Sequence, residues 1–581
     1  MKYLLRPVFF SVPALPAILL AFCLAASIFL GYNLDSLWYL GALTAAPMTL
    51  WLVAASRAKR RRTLLKRVKT LREEGRDTPL RPEDYHGYFL GSAPGAFPLS
   101  VDHRTCLDLN IGDLFTLLDR TVSIPGANML YTLLRVPLFD TALLSKRRDI
   151  INALAEDAAS AEGLQTAMGN LFHPGHDDVT PLLQHGSTEP PPSRGMSIVG
   201  TGTAILSVLA LFLIHTSWVI LLPLGSFVFS MVIYYRHYGT LTRQIGALGY
   251  IGALVKAAEI LAGNKTLRRL DSDRAAALET VLPKIKIFRK QVNRITTFSP
   301  DAQDILSILI AYLKIFFLID IHAYRRFLQL VETRRREILK AYELIGTLDA
   351  FLSTAAFLST REKTALPQLM EGSLSIRSEE MYHPLITDPV ANSFSIDPPG
   401  FIITGSNMAG KSTFLRTLAL NALLAQTLGF CFAREYEAGL FFPVTSIEKR
   451  DSLTLGKSLY YDEAKRIFAI LESTGNRTPV LCVIDELLSG TNSTERRKAS
   501  VAILGYLARK GALVVSATHD LETVEKLSEL YANVHFADRL DKGGLDFDYL
   551  LKPGILTGCN AIDLLERIGY PAEVVAQARE L

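Results

Sequence analysis

The sequence predicts an α/β domain with a parallel sheet, preceded by a long all-α region and by two transmembrane helical hairpins. Three observations carry that prediction. Uncharged apolar runs of membrane-spanning length come in two pairs, near residues 8–55 and 196–235; residues 240–365 keep apolar residues at helical spacing, as in Leu344, Leu348, Phe351 and Leu352, with few glycines or prolines; and from His383 onward short apolar runs alternate with helical stretches.

Composition bounds the rest. The 581-residue chain is 49% hydrophobic and 20% charged, far from the signature of disorder. With 62 basic and 57 acidic residues the net charge is only +5, so the broad basic field of a dedicated nucleic-acid binder is absent. Cys23, Cys106, Cys431, Cys482 and Cys559 are odd in number and widely spaced, which points away from a disulfide framework or a zinc site and fits a reducing compartment.

The first hairpin, within residues 1–56, comprises runs 8–30 and 37–55 around the turn GYNLD, each close to the roughly 20 residues that a helix needs to cross a bilayer. A cleaved signal peptide is the competing reading of the first run, and the second run that follows at once argues against it. Residues 57–103 read as a basic linker and a Pro/Gly-rich segment, 104–195 as the first part of a helical core, 196–236 as a second hairpin, 237–370 as a helical lever and 380–581 as the α/β domain. Arg57, Lys59, Arg60, Arg61, Arg62, Lys66, Arg67, Lys69 and Arg72 follow the second run, whereas the GYNLD turn has no base, so the body is expected on the cytoplasmic side of a multi-pass membrane protein. The apolar region 305–330 contains Lys314, Asp320, Arg325 and Arg326 and is therefore expected to be a buried or partner-facing helix, not a fifth span.

The chemistry is concentrated in the α/β domain. The strand Phe401-Ile402-Ile403-Thr404 runs into Gly405, Ser406, Asn407, Met408, Ala409, Gly410, Lys411 and Ser412, and then into a helical stretch from Thr413. This is G-x-x-x-x-G-K-[ST] in strand-loop-helix context, a phosphate-binding loop for ATP. Its glycines let backbone N–H groups wrap the phosphates, Lys411 reaches the β and γ phosphates, and Ser412 is placed to ligate Mg²⁺. A second strand, 480–484, ends in Asp485 and Glu486, a Mg²⁺-coordinating acid and a candidate to polarise the attacking water. A third, 512–517, ends in Thr518-His519-Asp520, with His519 a candidate γ-phosphate switch.

Taken together, TGSNMAGKST (404–413), VIDELLSGTNSTER (483–496) and SATHD (516–520) closely resemble the MutS family of dimeric ATPases, best known for DNA mismatch recognition. The resemblance implies an ATP hydrolase whose two subunits sandwich two nucleotides. It implies a trans-acting Ser458 in a signature loop where Leu459 replaces the usual threonine, and Phe394 as the aromatic that packs on adenine. Ser406 stands where the family usually has proline. The region before residue 104 leaves no room for the mismatch-reading domain, so the expectation is a membrane-anchored MutS-like homodimer using ATP and Mg²⁺. In a second reading the lever arms clamp double-stranded DNA as a non-sequence-specific partner, through Lys284, Lys286, Arg289, Lys290, Arg294, Arg334, Arg335 and Arg336, for which a solvated face of long helices is the competing reading. A DNA tether at the membrane, or an ATPase acting on a membrane or protein partner without DNA, are the alternatives.

Overall fold

The computed structural model describes residues 38–580 apart from 94, 172–178, 187–192, 215, 297–311, 362, 406–408, 448–458, 476–477, 542–543 and 557–568. The first predicted span lies outside the described residues. The second opens helix α1 (Trp38–Glu74), which continues without interruption through the basic stretch. Within that stretch Val68 is buried, and the buried Arg72 donates to Gln165 Oε1 at 3.1 Å. Arg76, just past the helix, pairs with Asp119 at 2.7 Å and donates to the Thr121 carbonyl at 2.8 Å. Arginine stems that lie along apolar surface serve packing as well as charge, and here they fasten α1 to the helical core.

That core is built from α2 (Ile124–Arg135) and the helices around it. The third and fourth predicted spans are α3 (Arg194–Leu213) and the start of α4 (Leu221–Ala262). Both are long and apolar enough to cross a membrane, with mean hydropathies of 2.1 and 1.9. Phe212, Leu213 and Trp218, around the turn that joins them, are 76%, 76% and 79% exposed, an arrangement that water does not favour for three large apolar side chains together. Past the hairpin α4 runs on into the body, where Tyr250, Leu254 and Leu261 are buried.

Helix α5 (Ser272–Thr296) packs between α4 and α6 (Ile319–Leu358). The 40 residues of α6 span about 60 Å, with a kink at Arg334 (φ −124°). Length and composition would let α6 cross a membrane, but 78% of its apolar window is buried inside the protein. Lys314 and Asp320, with side chains only 11% and 16% exposed, pair at 3.3 Å.

One end of α6 is clasped to the hairpin. Thr201 Oγ1 donates to the Phe317 carbonyl at 3.1 Å and Ser230 Oγ to the Phe316 carbonyl at 2.9 Å. A Cβ on Gly200 would lie 2.6 Å from Leu318 Cδ1, so a glycine is needed for that approach. The other end packs on the α/β domain, with the Phe357 ring against Phe430 and Phe432 at 6.3 and 6.0 Å. Close by, the fully buried Asp349 accepts from Val122 N and from Ser123 Oγ at 2.6 Å, and burial pushes its carboxyl up to about 7.

The α/β domain holds ten strands among the described residues. They are β1 (Gln368–Leu369), β2 (Ile376–Met381), β3 (Asn392–Ile396), β4 (Gly400–Thr404), β5 (Glu435–Ala438), β6 (Phe442–Ser446), β7 (Val480–Asp485), β8 (Leu513–Ala517), β9 (Ala532–Asp541) and β10 (Gly544–Pro553). The main sheet has the order β10-β9-β4-β8-β7-β6, parallel except for the edge strand β10, and a smaller sheet has the order β1-β5-β2-β3. Strands β4 and β8 are buried throughout, which is why they read as continuous apolar runs instead of alternating ones. The domain's longer helices are α7 (Lys411–Thr427), α8 (Leu459–Ser473) and α9 (Ser493–Arg509). Because β4, β8 and β7 are parallel neighbours, their C-terminal ends emerge side by side, and ligand sites of open α/β sheets form there.

Candidate nucleotide site

The two glycines that flank the loop between β4 and α7 both have positive φ. Gly405 has φ 139°, and a Cβ on it would lie 2.7 Å from the Phe536 carbonyl oxygen. Gly410, at φ 99°, caps α7 in the left-handed region that favours glycine. Ser406, Asn407 and Met408 lie outside the described residues, while Ala409 is buried beside them. Lys411 is 1% exposed, and its ammonium donates to the Gly405 carbonyl, folding the side chain back across the loop.

Ser412, in the first turn of α7, donates its hydroxyl proton to the carboxylate of Asp485 at the end of β7. The two residues that the sequence assigns to Mg²⁺ therefore meet across two elements. A hydroxyl and a carboxylate are the hard oxygen donors that this cation takes. No group of three or more His, Cys, Asp or Glu gathers among the described residues, so the metal would rely on the nucleotide and water for its other ligands.

Glu486 follows in a left-handed conformation (φ 53°), its N–H bonded to the Ala517 carbonyl at 3.0 Å. Its Oε1 lies 2.6 Å from His519 Nδ1 at the tip of β8. The Glu486 side chain is 17% exposed and that of His519 51%, so the imidazole is the solvent-facing member of the pair. Behind them a cavity of about 20 Å³, lined in part by Ser500, Ser516 and Thr523, has room for one water. Lys411, Ser412, Asp485, Glu486 and His519, spread over 109 positions of sequence, thus stand together at one edge of the sheet.

Residues 401–581 match the family model of MutS domain V. Similarity to curated MutS proteins covers the C-terminal part of the chain. The DNA mismatch repair protein MutS of Thermus thermophilus is 33% identical over 262 residues, 44% of this chain and 32% of the relative. MutS of Aquifex pyrophilus is 31% identical over 270 residues, 44% and 31% of the two chains, and Endonuclease MutS2 of Levilactobacillus brevis is 32% identical over 259 residues, 43% and 32%. The chain spans about a third of the length of these relatives. The mixed α/β sheet seen here agrees with the domain V match, and the findings support the MutS family for this part of the chain.

Beside the phosphate loop of the domain V region lies a hollow of about 490 Å³, lined by His383, Ile386, Pro389, Val390, Asn392, Thr413 and Tyr549 among others. Phe394, expected to pack on adenine, is not on this lining. It shares a face of β3 with the buried Asn392 and Ile396 and packs edge-on against Phe414, ring centroids 5.1 Å apart, so that Phe414, on the lining, stands between it and the hollow. Among the aromatic rings that do line the hollow, with Phe414 and Phe536, is Tyr549 from β10. Asn392 holds it there, donating to the Tyr549 carbonyl at 3.0 Å and accepting from Leu551 N at 2.7 Å. Burial and the neighbouring Arg416 push His383 down to about 4, so its imidazole is neutral at physiological pH.

Ser458 lies outside the described residues; α8 begins immediately after it. Sequence reasoning missed a residue of that helix. Glu463 is buried and accepts from Ser489 Oγ at 2.9 Å and Gly490 N at 3.3 Å, in the loop that follows Glu486. Its helical phase marks it as inward-facing, but nothing local says that its partner is the loop after β7.

Proposed function

We propose that this chain is a membrane-anchored ATP hydrolase of MutS type that works as a homodimer. The observation that carries this reading is the convergence of Lys411, Ser412, Asp485, Glu486 and His519 at adjacent strand ends. Mg²⁺, when bound, supplies charge neutralisation at the β and γ phosphates. Ser412 and Asp485 would hold it, Lys411 would leave the Gly405 carbonyl for the phosphates, and Glu486 would orient the attacking water. His519 is placed to exchange Glu486 for the γ-phosphate, and Ser458 to complete the site of the other subunit. Little covalent chemistry is asked of the protein; positioning and electrostatics do most of the catalysis.

In this reading the hairpin of α3 and α4 sits in the bilayer, which would cover the exposed Phe212, Leu213 and Trp218. The domain V region lies on the cytoplasmic side.

DNA is the partner suggested by the relatives' names. Of the basic residues considered for phosphate contact, Lys286 and Arg289 pair with Glu259, and Arg334 pairs with Glu337. Acids that neutralise these bases weaken a phosphate-gripping surface, so ATP hydrolysis is the firmer half of the proposal. The test is the ATPase rate of the full-length protein alone and with homoduplex, mismatched or branched DNA. A rate above background that is lost in Lys411→Ala supports the hydrolase. Stimulation by one DNA form, falling steeply with salt, adds the DNA role, and its absence at low salt removes that role.

A further inference from the structure

We propose that helix α8 is the link through which the helical core sets the position of Glu486, with Arg466 and Glu463 as its two positioning residues. The inference rests on the ATP-hydrolase reading above and names how that site is controlled.

Arg466 reaches out of the domain V region. Its Nη1 donates to Asp102 Oδ2 at 3.1 Å and its Nη2 to Thr105 Oγ1 at 2.7 Å, both on the short helix His103–Asp108 and its cap in the helical core. Its Nε donates to the Thr445 carbonyl of β6 at 2.6 Å. The contact is reinforced beside it: Asp108 Oδ2 accepts from Thr445 Oγ1 at 2.6 Å and from Ile447 N at 3.0 Å. The Arg466 side chain is only 13% exposed. A planar guanidinium that spends its fork on a carboxylate, a hydroxyl and a carbonyl at once fixes direction as well as distance. Burial works against ionisation of Asp102, but Arg466 and the Thr105 N–H outweigh it and hold the carboxyl below its usual range.

One turn earlier on the same helix, Glu463 grips Ser489 and Gly490. That loop needs an outside hold, because Glu486 and Leu488 both adopt left-handed backbone (φ 53° and 54°), and non-glycine residues keep such conformations only where their surroundings impose them. Gly490 fits against α8 itself, since a Cβ there would lie 3.1 Å from Tyr460 N. The path therefore runs from Asp102 and Thr105 through Arg466, along one turn of rigid helix, through Glu463 and into the loop that carries Glu486. A displacement of the core at His103–Asp108 is delivered to the residue that would orient the attacking water.

The test compares full-length wild type with Arg466→Ala, Arg466→Lys, Glu463→Gln and Asp102→Asn, each also in a Glu486→Gln background. Expected for Arg466→Ala and Glu463→Gln is a kcat lower by roughly ten- to a hundredfold, the cost of a catalytic group displaced by about an ångström, with KM for ATP and the affinity for a non-hydrolysable analogue changed less than about twofold. Arg466→Lys keeps the charge but loses the fork and recovers only part of the rate. Arg466→Ala combined with Asp102→Asn is no worse than Arg466→Ala alone. None of the changes lowers the residual rate of Glu486→Gln further, since each acts through that residue. Unchanged kcat in the variants, or losses that add to that of Glu486→Gln, overturn the inference while leaving the hydrolase standing. A wild type that turns over no ATP overturns the hydrolase reading and this inference with it.

Discussion

His519 Nδ1 lies 2.6 Å from Glu486 Oε1, so the carboxylate proposed to orient water is engaged by the imidazole proposed to sense phosphate. Replacing Glu486 by Gln keeps the shape and removes the charge. The expected outcome is ATP binding retained, hydrolysis reduced by about 10² or more, and a dimer that accumulates with ATP bound. Single-turnover kinetics and the oligomeric state in ATP check it, and unchanged turnover would show that the water is oriented elsewhere. His519→Ala should cost less in rate, because it leaves the Glu486 carboxylate in place.

Lys411→Ala removes a buried ammonium that is held by the Gly405 carbonyl. The expected result is a loss of ATP affinity of at least about tenfold, the equivalent of about 1.4 kcal/mol, with the fold retained. Titration with a fluorescent ATP analogue, alongside circular dichroism, separates the two effects.

Gly400 opens β4 with φ 121°, and a Cβ on it would fall 1.8 Å from the carbonyl oxygen of Val514, its ladder partner in β8. Both strands are central in the sheet and cannot part locally. Gly400→Ala is expected to destabilise the protein by on the order of 3 kcal/mol, a strained backbone combined with a forced contact. The denaturant midpoint reads it; a shift well under 1 kcal/mol would mean that the ladder yields.

Asp349 has its carboxyl pushed up to about 7 by full burial, against 3.8 for an ordinary aspartate. The folded state therefore binds a proton that the unfolded state has already released between those values, and linkage makes this residue's contribution fall as pH rises from about 4 through about 7. Below the lower value the contribution is fully present. Asp349→Asn should flatten that part of the stability profile. Melting temperatures of wild type and variant from pH 5 to pH 8 test this, and parallel curves would contradict it.

Trp218, 79% exposed at the turn between α3 and α4, should lie across the bilayer from Arg194 at the start of α3. In intact cells an impermeant maleimide is expected to label Trp218→Cys and not Arg194→Cys, both in a cysteine-free chain. Labelling of both only after lysis would show that the hairpin does not cross. Gly200→Leu in the same hairpin should push against Leu318 and loosen the clasp on α6, read as increased proteolysis near 316–318.

The strand-loop-helix setting of Gly405 and Gly410, the acids at the end of β7 and the histidine at the tip of β8 were legible because each depends on contiguous residues with a strict local requirement: a glycine where φ is positive, a lysine at the start of a helix, an acid where a buried strand ends. The second hairpin was legible from length and hydropathy alone. In the stretch 57–74 a run of arginines carries no local sign that Val68 and Arg72 are buried against the helical core. Alternation along β3 tells which residues share a face, whereas the hold of Asn392 on the backbone of Tyr549, 157 residues away, has no local signature.

By itself the sequence determined the local vocabulary of this protein: its membrane-length runs, its long helices, and a nucleotide loop in strand-loop-helix context. Backbone propensity and hydrophobic period act over a few residues, so they can be read without neighbours. Only the tertiary structure decided that Ser412 meets Asp485, that His519 occupies Glu486, and that Arg466 joins α8 to Asp102, 364 positions earlier. Those relationships depend on which faces close against one another when the core forms, and side-chain polar groups find their partners only after burial has chosen their surroundings.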